Sequence, residues 1–374
     1  MATSQDSRAR CIQELSRLES CVSQLTAFVG LDGFVDEIIH VVDKREGAHS
    51  FERIPTITSF AERIADAAGK STNIELMPQQ VKLGGNGPIM TSALAAFGVR
   101  VSYVGALGFP NLHPVFSPLA DKGEVFSIAE AAHTDALEFD DGKLMFGKMT
   151  PLNDVTWPNI EERMGREKFE SKITSSDLIS FVNWTMIPHM SDIWESILGA
   201  SVLPNRSSNQ TAFFDLCDPE KRKYDDIIHA MKLLGRFREH LRVILGLNEK
   251  EALELGDVYG ITAGSDSPDG CCSLAKALFE KLDVDMLVVH PVTYALVVTE
   301  EATTWVRGPF IEKPVITTGA GDHFNAGFCL AQLLGMSPES CLYLGVSSSG
   351  HYVKTGRSPN VNDLRQILTD WLKS

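Results

Sequence analysis

Thr317-Thr318-Gly319-Ala320-Gly321-Asp322, followed by the helical run His323–Leu334, is the stretch on which the reading of this chain turns. Three small residues at 319–321 let the backbone turn tightly and expose successive N–H groups. Those groups fall where a helix begins, and a helix start attracts negative charge through its free N–H groups and its dipole. Such a turn suits a phosphoryl group whose charge must be stabilised during transfer. Asp322 places a carboxylate there, able to accept a proton from an attacking hydroxyl. Taken alone, the stretch also reads as an N-capping Asp after a Gly-rich turn, so the segments around it decide.

Upstream of it, short apolar runs alternate with helical patterns. Strands are predicted at Ala27–Gly30, Val101–Gly105, Leu178–Val182, Ala212–Leu216, Val243–Leu247 and Met286–Val289. Helices are predicted at Ile89–Phe97, Met190–Leu198, Tyr224–Leu234 and Cys272–Leu282. Nearly continuous apolar strands are those covered on both faces, and the βαβ rhythm gives a mainly parallel sheet between helical layers. Three segments break the rhythm. Glu37–Asp43 and Ile74–Leu83 alternate apolar with polar residues, and Asp135–Lys148 reads as a hairpin turning at Asp141-Gly142. They are expected to form a small second sheet, a lid over ligand, built from about 35–55, 74–84 and 135–149. Residues 1–26 are expected as a helical extension, with Ile12, Leu15, Leu18, Val22 and Leu25 on one face, and 27–374 as the α/β domain.

Composition narrows the partners. The chain has 374 residues, 44% of them hydrophobic, enough for a sizeable core. Its formal net charge of -15 disfavours nucleic acid and anionic membrane, both polyanions. No stretch is apolar for long enough to span a bilayer, and the first 20 residues lack the apolar core of a signal peptide. The cysteines Cys11, Cys21, Cys217, Cys271, Cys272, Cys329 and Cys341 form neither a disulfide framework nor metal-ligand spacing. A cytoplasmic protein with reduced thiols is expected.

Three further motifs keep company with the first. Gly30-Leu31-Asp32-Gly33-Phe34-Val35-Asp36 follows a strand, and carboxylates at strand ends bind ligand hydroxyls in α/β proteins. Gly84-Gly85-Asn86-Gly87-Pro88 opens the helix Ile89–Phe97. Asn248 and Glu251 follow the strand Val243–Leu247 and can face one site, orienting magnesium-bound water near phosphates; they read equally as a capping box.

In this order, these residues resemble the ribokinase-like (PfkB) carbohydrate kinase family, over about residues 27 to 360. The match rests on Gly319-Ala320-Gly321-Asp322 and its helix, the glycine signature Gly84–Gly87, Asn248 with Glu251, Asp36 with Asp32 nearby, and the hairpin at 136–148. The resemblance implies a three-layer α/β/α ribokinase-like fold with a β lid, Mg-ATP as donor and a small sugar or sugar derivative as acceptor. It implies Asp322 as base and Gly319, Ala320 and Gly321 as anion hole. Asn248, Glu251 and Thr318 would serve nucleotide and magnesium without direct metal ligation, and Asp32, Asp36, Gly85 and Asn86 the acceptor hydroxyls. Homodimers through the lid are common for such proteins.

The chain departs from the family pattern in places. Ile316 stands where many members have an Asp for a monovalent cation, His290-Pro291-Val292 replaces a Thr-x-Gly beside the nucleotide, and Ile89 stands where ribokinases carry a substrate Asn. Residues 44–70 are an insertion containing a helical stretch, Ser59–Ala68. His323 is expected to pack, and His189, Asp215, Asp218 and Lys221 are weighed as cleft residues against capping and turn roles. Two alternatives stay open: a nucleoside kinase of the same fold, and a metabolite-binding relative without catalysis.

Overall fold

The computed structural model describes residues 4–48, 50–200, 203, 210–262 and 267–373. In chain order the strands are β1 (Thr26–Leu31), β2 (Phe34–Arg45), β3 (Phe51–Arg53), β4 (Leu76–Gly84), β5 (Arg100–Gly105), β6 (Glu124–Ser127), β7 (Ala132–Phe139), β8 (Gly142–Lys148), β9 (Leu178–Phe181), β10 (Thr211–Asp215), β11 (Arg242–Leu247), β12 (Met286–Val289), β13 (Tyr294–Val298) and β14 (Thr303–Arg307). The longer helices are α1 (Ser4–Leu18), α2 (Ile57–Asp66), α3 (Asn86–Phe97), α4 (Arg166–Ser175), α5 (Met190–Gly199), α6 (Tyr224–Arg238), α7 (Glu249–Val258), α8 (Pro268–Phe279), α9 (Ala320–Leu333), α10 (Pro338–Thr355) and α11 (Val361–Lys373).

Nine strands form the main sheet in the order β14-β13-β12-β11-β10-β9-β1-β5-β6. Neighbours from β12 through β6 run parallel, while β13 and β14 form an antiparallel hairpin at one edge. Side chains along each strand point alternately to two cores. Phe28, Phe214, Leu245 and Leu287 face α4–α8, while Val29, Phe213, Ile244 and Val288 face α1, α3, α9, α10 and α11. Both faces are therefore dry, and the strands read as apolar runs. The chain builds β5 and β6 on one side of β1, then returns to place β9 on the other. A sheet whose strand order reverses this way opens a crevice at the carboxyl ends of its strands.

The six predicted strands are all present. The hairpin β13–β14 and the edge strand β6 went unanticipated. Helix α8 begins earlier than its apolar pattern, because the Ser267 side chain caps Gly270 N–H at 3.1 Å and Pro268 starts the first turn. The N-terminal stripe is not one helix. α1 ends at Leu18 and tightens into a 3-10 segment, Glu19–Gln24, whose Val22 is buried. α1 packs on α10 and α11, with Cys11 and Leu15 fully buried and the Arg8 guanidinium 4.7 Å above the Trp371 ring.

The five other strands make the smaller sheet. β2 is central, antiparallel to β4 and β3 and parallel to β7, which pairs with β8. The β7–β8 turn is Asp140-Asp141 rather than Asp141-Gly142, since both aspartates bind the inserted segment: Asp140 pairs with Arg53, and Asp141 accepts from Ile57 N–H at 2.9 Å. The insertion carries α2, whose Phe60 joins Ile39, Val41, Ile54, Leu137 and Phe139 in a small separate core. Phe60 and Phe139 meet at a tilt with ring centroids 5.5 Å apart.

Candidate active site

The crevice collects the first residues after several strands of the main sheet: Asp32 after β1, Asn183 near the end of β9, Asp215 closing β10, Asn248 after β11 and His290 after β12. α3 and α9 pack against each other and start there. Two helix N-termini, whose first N–H groups have no partner within their own helix, thus share one end of the sheet.

Asp32 is completely buried, and protein donors occupy both its oxygens. Oδ2 accepts from Asn86 N–H and from the Asn183 side-chain amide, each at 2.8 Å. Oδ1 accepts from Gly87 N–H at 2.9 Å and from the Tyr103 hydroxyl at 3.1 Å. Burial pushes the Asp32 carboxyl up, and these four donors pull it back. Of the carboxylate's roughly four acceptor positions, two backbone N–H groups and the Asn183 amide fill three, and the Tyr103 hydroxyl, whose proton also serves the Asp32 carbonyl at 2.6 Å, stands at the fourth. Asp32 thus ties the start of α3 to the end of β1. The dense glycines follow from the same docking. A Cβ on Gly87 would stand 2.4 Å from the Tyr103 hydroxyl and 2.8 Å from Asp32 Oδ1. One on Gly85, whose φ is +97°, would stand 3.0 Å from Asp32 Oδ2.

Asp36 sits at the base of the smaller sheet, opposite Lys82 in the β2–β4 register. It is buried, and burial raises its carboxyl while Lys82 and a hydrogen bond from Thr134 lower it. Its carboxyl lies so close over Gly84 that a Cβ there would come within 2.5 Å.

Gly319 adopts φ +91° as N-cap of α9, and Ala320 N–H closes the turn on Thr317 O at 3.1 Å. The turn is braced from behind. The Tyr352 hydroxyl donates to Thr318 O at 3.2 Å, and His323 Nδ1 bonds Gly319 O at 2.8 Å. The His323 ring stacks on Tyr352 at 3.7 Å, its other nitrogen on the Ser358 hydroxyl, so it packs. Asp322 is 8% exposed. Its carboxyl is held well above the usual range by burial first and then by the charges of Asp215 and Asp32, against a hydrogen bond from the Asn86 side chain. Asn86 thereby joins the two carboxylates, Asp32 through its backbone and Asp322 through its side chain.

Further along the crevice, Asn325 Nδ2 donates to Asp215 Oδ2 at 3.2 Å. Asn183 Oδ1, Asp215 Oδ1 and Asn325 Oδ1 are buried acceptors without a protein partner. Burial raises Asp215 to about 7 and Glu251 to about 8. Asn248 and Glu251 form the capping box: Asn248 Oδ1 accepts from Glu251 N–H at 2.9 Å, and Glu251 Oε2 from Asn248 N–H at 2.8 Å. Glu251 also accepts from Asp218 N–H at 3.2 Å, which fixes the loop after β10.

Asn183 and Asn325 went unread in the sequence. Asn325 lies three residues after Asp322, on the same helix face, and Asn183 directly follows a predicted strand, so spacing alone could have flagged both. Asp218 and Lys221 pair with each other at 3.0 Å on the surface, and His189 is an exposed partner of Asp192 at 3.1 Å. Among the described residues, no group of three or more His, Cys, Asp or Glu is arranged to hold a metal ion.

Comparison with known proteins fits this architecture. A family model described as prokaryotic ketohexokinase matches residues 2–371. A ketohexokinase from Haloferax volcanii is 29% identical over 346 residues, covering 92% of this chain and 90% of that protein. Among solved structures, ribokinase from Arabidopsis thaliana with ribose and ATP superposes with a TM-score of 0.64 at 16% identity, covering 92% of this chain and 98% of that one. Phosphofructokinase-2 from Escherichia coli, with substrates and products, gives 0.63 at 15% identity over 94% of this chain and 99% of its own. A Methanocaldococcus jannaschii nucleoside kinase gives 0.59 at 15% identity, covering 92% and 98%. These structural likenesses establish the ribokinase fold. The chain belongs to the prokaryotic ketohexokinase family, among the ribokinase-like carbohydrate kinases, and is a phosphotransferase with an alcohol group as acceptor.

Proposed function

We propose that this protein transfers the γ-phosphoryl group of ATP to a hydroxyl of a ketohexose such as fructose. The observation that carries the reading is Asp322: a buried carboxylate of raised pKa, in the first turn of α9, tied through Asn86 to the start of α3. A raised pKa makes its carboxylate a stronger proton acceptor than an ordinary Asp. The Haloferax relative and the family model support the acceptor class, and the plant ribokinase solved with ATP supports the donor.

In this reading Asp36 and the Asn86 side chain, beside the Gly85 backbone, orient the sugar, while Asp32 holds α3 in place. Asp322 removes the proton as the acceptor oxygen bonds to phosphorus and the bond to the β-phosphate oxygen breaks. The N–H groups of Gly319 and Gly321, on the turn that Ala320 N–H closes onto Thr317 O, with the Thr318 segment, receive the charge that spreads over the phosphoryl oxygens. The smaller sheet acts as a lid that excludes water from this step. The unpaired acceptors of Asn183, Asp215 and Asn325, with Glu251 beside Asp215, fit a hydrated magnesium ion held largely through its waters. When bound, that ion supplies charge neutralisation on the phosphates.

The experiment is ADP release with Mg-ATP across ketohexoses, aldohexoses, pentoses, sugar acids and nucleosides, with Asp322→Asn alongside. Turnover strongest on a ketohexose is expected. The variant should lose roughly a hundred- to ten-thousandfold in kcat and keep calorimetric binding of fructose. Wild-type turnover that survives in the variant, or a preference for nucleosides, would sink the reading.

A further inference from the structure

We propose that Arg222 is a positioning residue of this site: its guanidinium holds the turn after β9 in the shape that presents the Asn183 carboxamide to the crevice. The inference rests on the kinase reading above. The direct partners of the guanidinium are main-chain carbonyls. Nε donates to Thr185 O at 3.0 Å, and Nη2 donates to Trp184 O at 3.2 Å and to Ile187 O at 2.7 Å. Nη1 reaches Pro188 O at 3.5 Å, and the cation lies 4.9 Å from the centroid of the Trp184 ring. The carboxylates of Asp226 and Asp192 act on it only through space.

Carbonyls of one short turn that converge on a point repel one another unless a donor stands between them. Trp184, Thr185 and Ile187 are buried, so water is a poor substitute for that donor. A planar fork of five N–H groups can serve several acceptors at once, where an ammonium offers three donors from a single point. The head of the turn is where this bears on chemistry. Asn183 adopts φ +62°, the left-handed region that few residue types enter. Its amide donates to Asp32 Oδ2 at 2.8 Å, and its Oδ1 is buried without a protein partner. Trp184 N–H donates to Asp215 O at 3.3 Å and Thr185 N–H to Leu216 O at 2.9 Å, which laces the turn to the end of β10. Residues 183–185 thus lie between Asp32 and Asp215, and Arg222 closes the turn that carries them. Without its grip the turn can unwind from Ile187 back toward Asn183. The carboxamide then shifts, although no group that touches substrate has been removed.

Arg222→Met keeps the stem against Trp184 and removes every donor, while Arg222→Lys keeps the charge. Turnover of fructose with Mg-ATP, thermal unfolding and amide hydrogen exchange are measured on both. The same is done for Asn183→Ala, alone and combined with each Arg222 change. Groups that orient a ligand-holding side chain are worth roughly ten- to a hundredfold in activity. The Met variant should lose that factor in kcat, and the Lys variant should recover only part of it. Adding either change to Asn183→Ala should cost nothing more, because both act at one carboxamide. In the ligand-free Met variant, the Trp184 and Thr185 amides should exchange faster by a larger factor than amides of β10 and β11. Wild-type kcat in the Met or the Lys variant overturns the proposal. So does a loss in the double variants equal to the product of the single losses. If the Met variant does not fold, the Lys variant and its double decide by the same comparison. If the wild-type protein turns over no acceptor, the kinase reading fails by itself. Exchange at Trp184 and Thr185 then decides Arg222 separately, and unchanged protection there overturns it.

Discussion

Replacing Asp32 by Asn tests whether this residue docks a helix or binds the sugar. The substitution keeps size and shape but turns one acceptor oxygen into a donor. With the new NH2 at the Oδ1 position, it meets Gly87 N–H and the Tyr103 hydroxyl. Tyr103 already donates to the Asp32 carbonyl at 2.6 Å, so its oxygen can accept from the amide and only Gly87 N–H goes unmet. With the NH2 at Oδ2, it meets Asn86 N–H and Asn183, whose unpartnered Oδ1 can flip inward to accept, leaving Asn86 N–H unmet. Either way one N–H at the start of α3 is stranded, at about 1–3 kcal/mol. Loss of the negative charge at that helix start adds about 0.3–1 kcal/mol. The expected cost is therefore roughly 1.3–4 kcal/mol. For a chain of 374 residues the unfolding entropy is about 0.8 kcal/mol/K, so the midpoint should fall by about 2–5 °C. Calorimetric unfolding without ligands reads this directly, and sugar affinity is measured on the same sample. A variant that unfolds within about 1 °C of wild type yet loses sugar affinity by orders of magnitude would refute the docking argument and return Asp32 to the acceptor.

Two other outcomes follow from the same crevice. Asp215 and Glu251 are raised to about 7 and about 8, so the folded protein holds protons that the unfolded chain has released. Their contribution to stability is full below the ordinary carboxylate range and is lost as pH rises through about 8. The midpoint of the ligand-free protein should fall between pH 6 and 8.5, and the double variant Asp215→Asn, Glu251→Gln should flatten that slope; an unchanged slope would show that other groups set it. Gly84→Ala drives a Cβ to within 2.5 Å of the Asp36 carboxyl; a raised KM for fructose and a stability loss of roughly 1–3 kcal/mol are expected, and wild-type values of both would show that Asp36 can move aside freely.

The parts legible in the sequence were those that local chemistry dictates. Continuous apolar runs marked β1, β5 and β9–β12 because each is covered on both faces, and alternation marked the smaller sheet because one face differs from the other. The turn at 319–321 was legible because few other residue types tolerate φ near +91° beside a helix start. What local chemistry cannot show is which strand end meets which helix start. Nothing in the neighbourhood of Asp32 along the chain reveals that Asn86 and Gly87 will present two N–H groups to it. Asn183, Asp215 and Asn325 come together only through the order of β9 and β10 under α9. The hairpin β13–β14 lies at the sheet's edge, where short strands leave a weaker pattern.

The separate core under α2 bears on how the smaller sheet can move. β2 runs 12 residues, about 40 Å, from Phe34 at its root, two residues before Asp36, to Arg45 at its tip, and the core of Phe60, Phe139 and their neighbours packs along its middle on Ile39 and Val41. Arg63 of α2 also ties to β2, donating to Val42 O at 3.2 Å and to Asp43 at 3.1 Å. The outer half of the sheet thus carries a hydrophobic core of its own, separate from the two cores of the main body. Under the lid reading it behaves as a stiff lever. A rotation of about 10° at its root carries the tip roughly 7 Å, so the mouth of the crevice can open for sugar without a rung of the β2–β4 ladder coming undone.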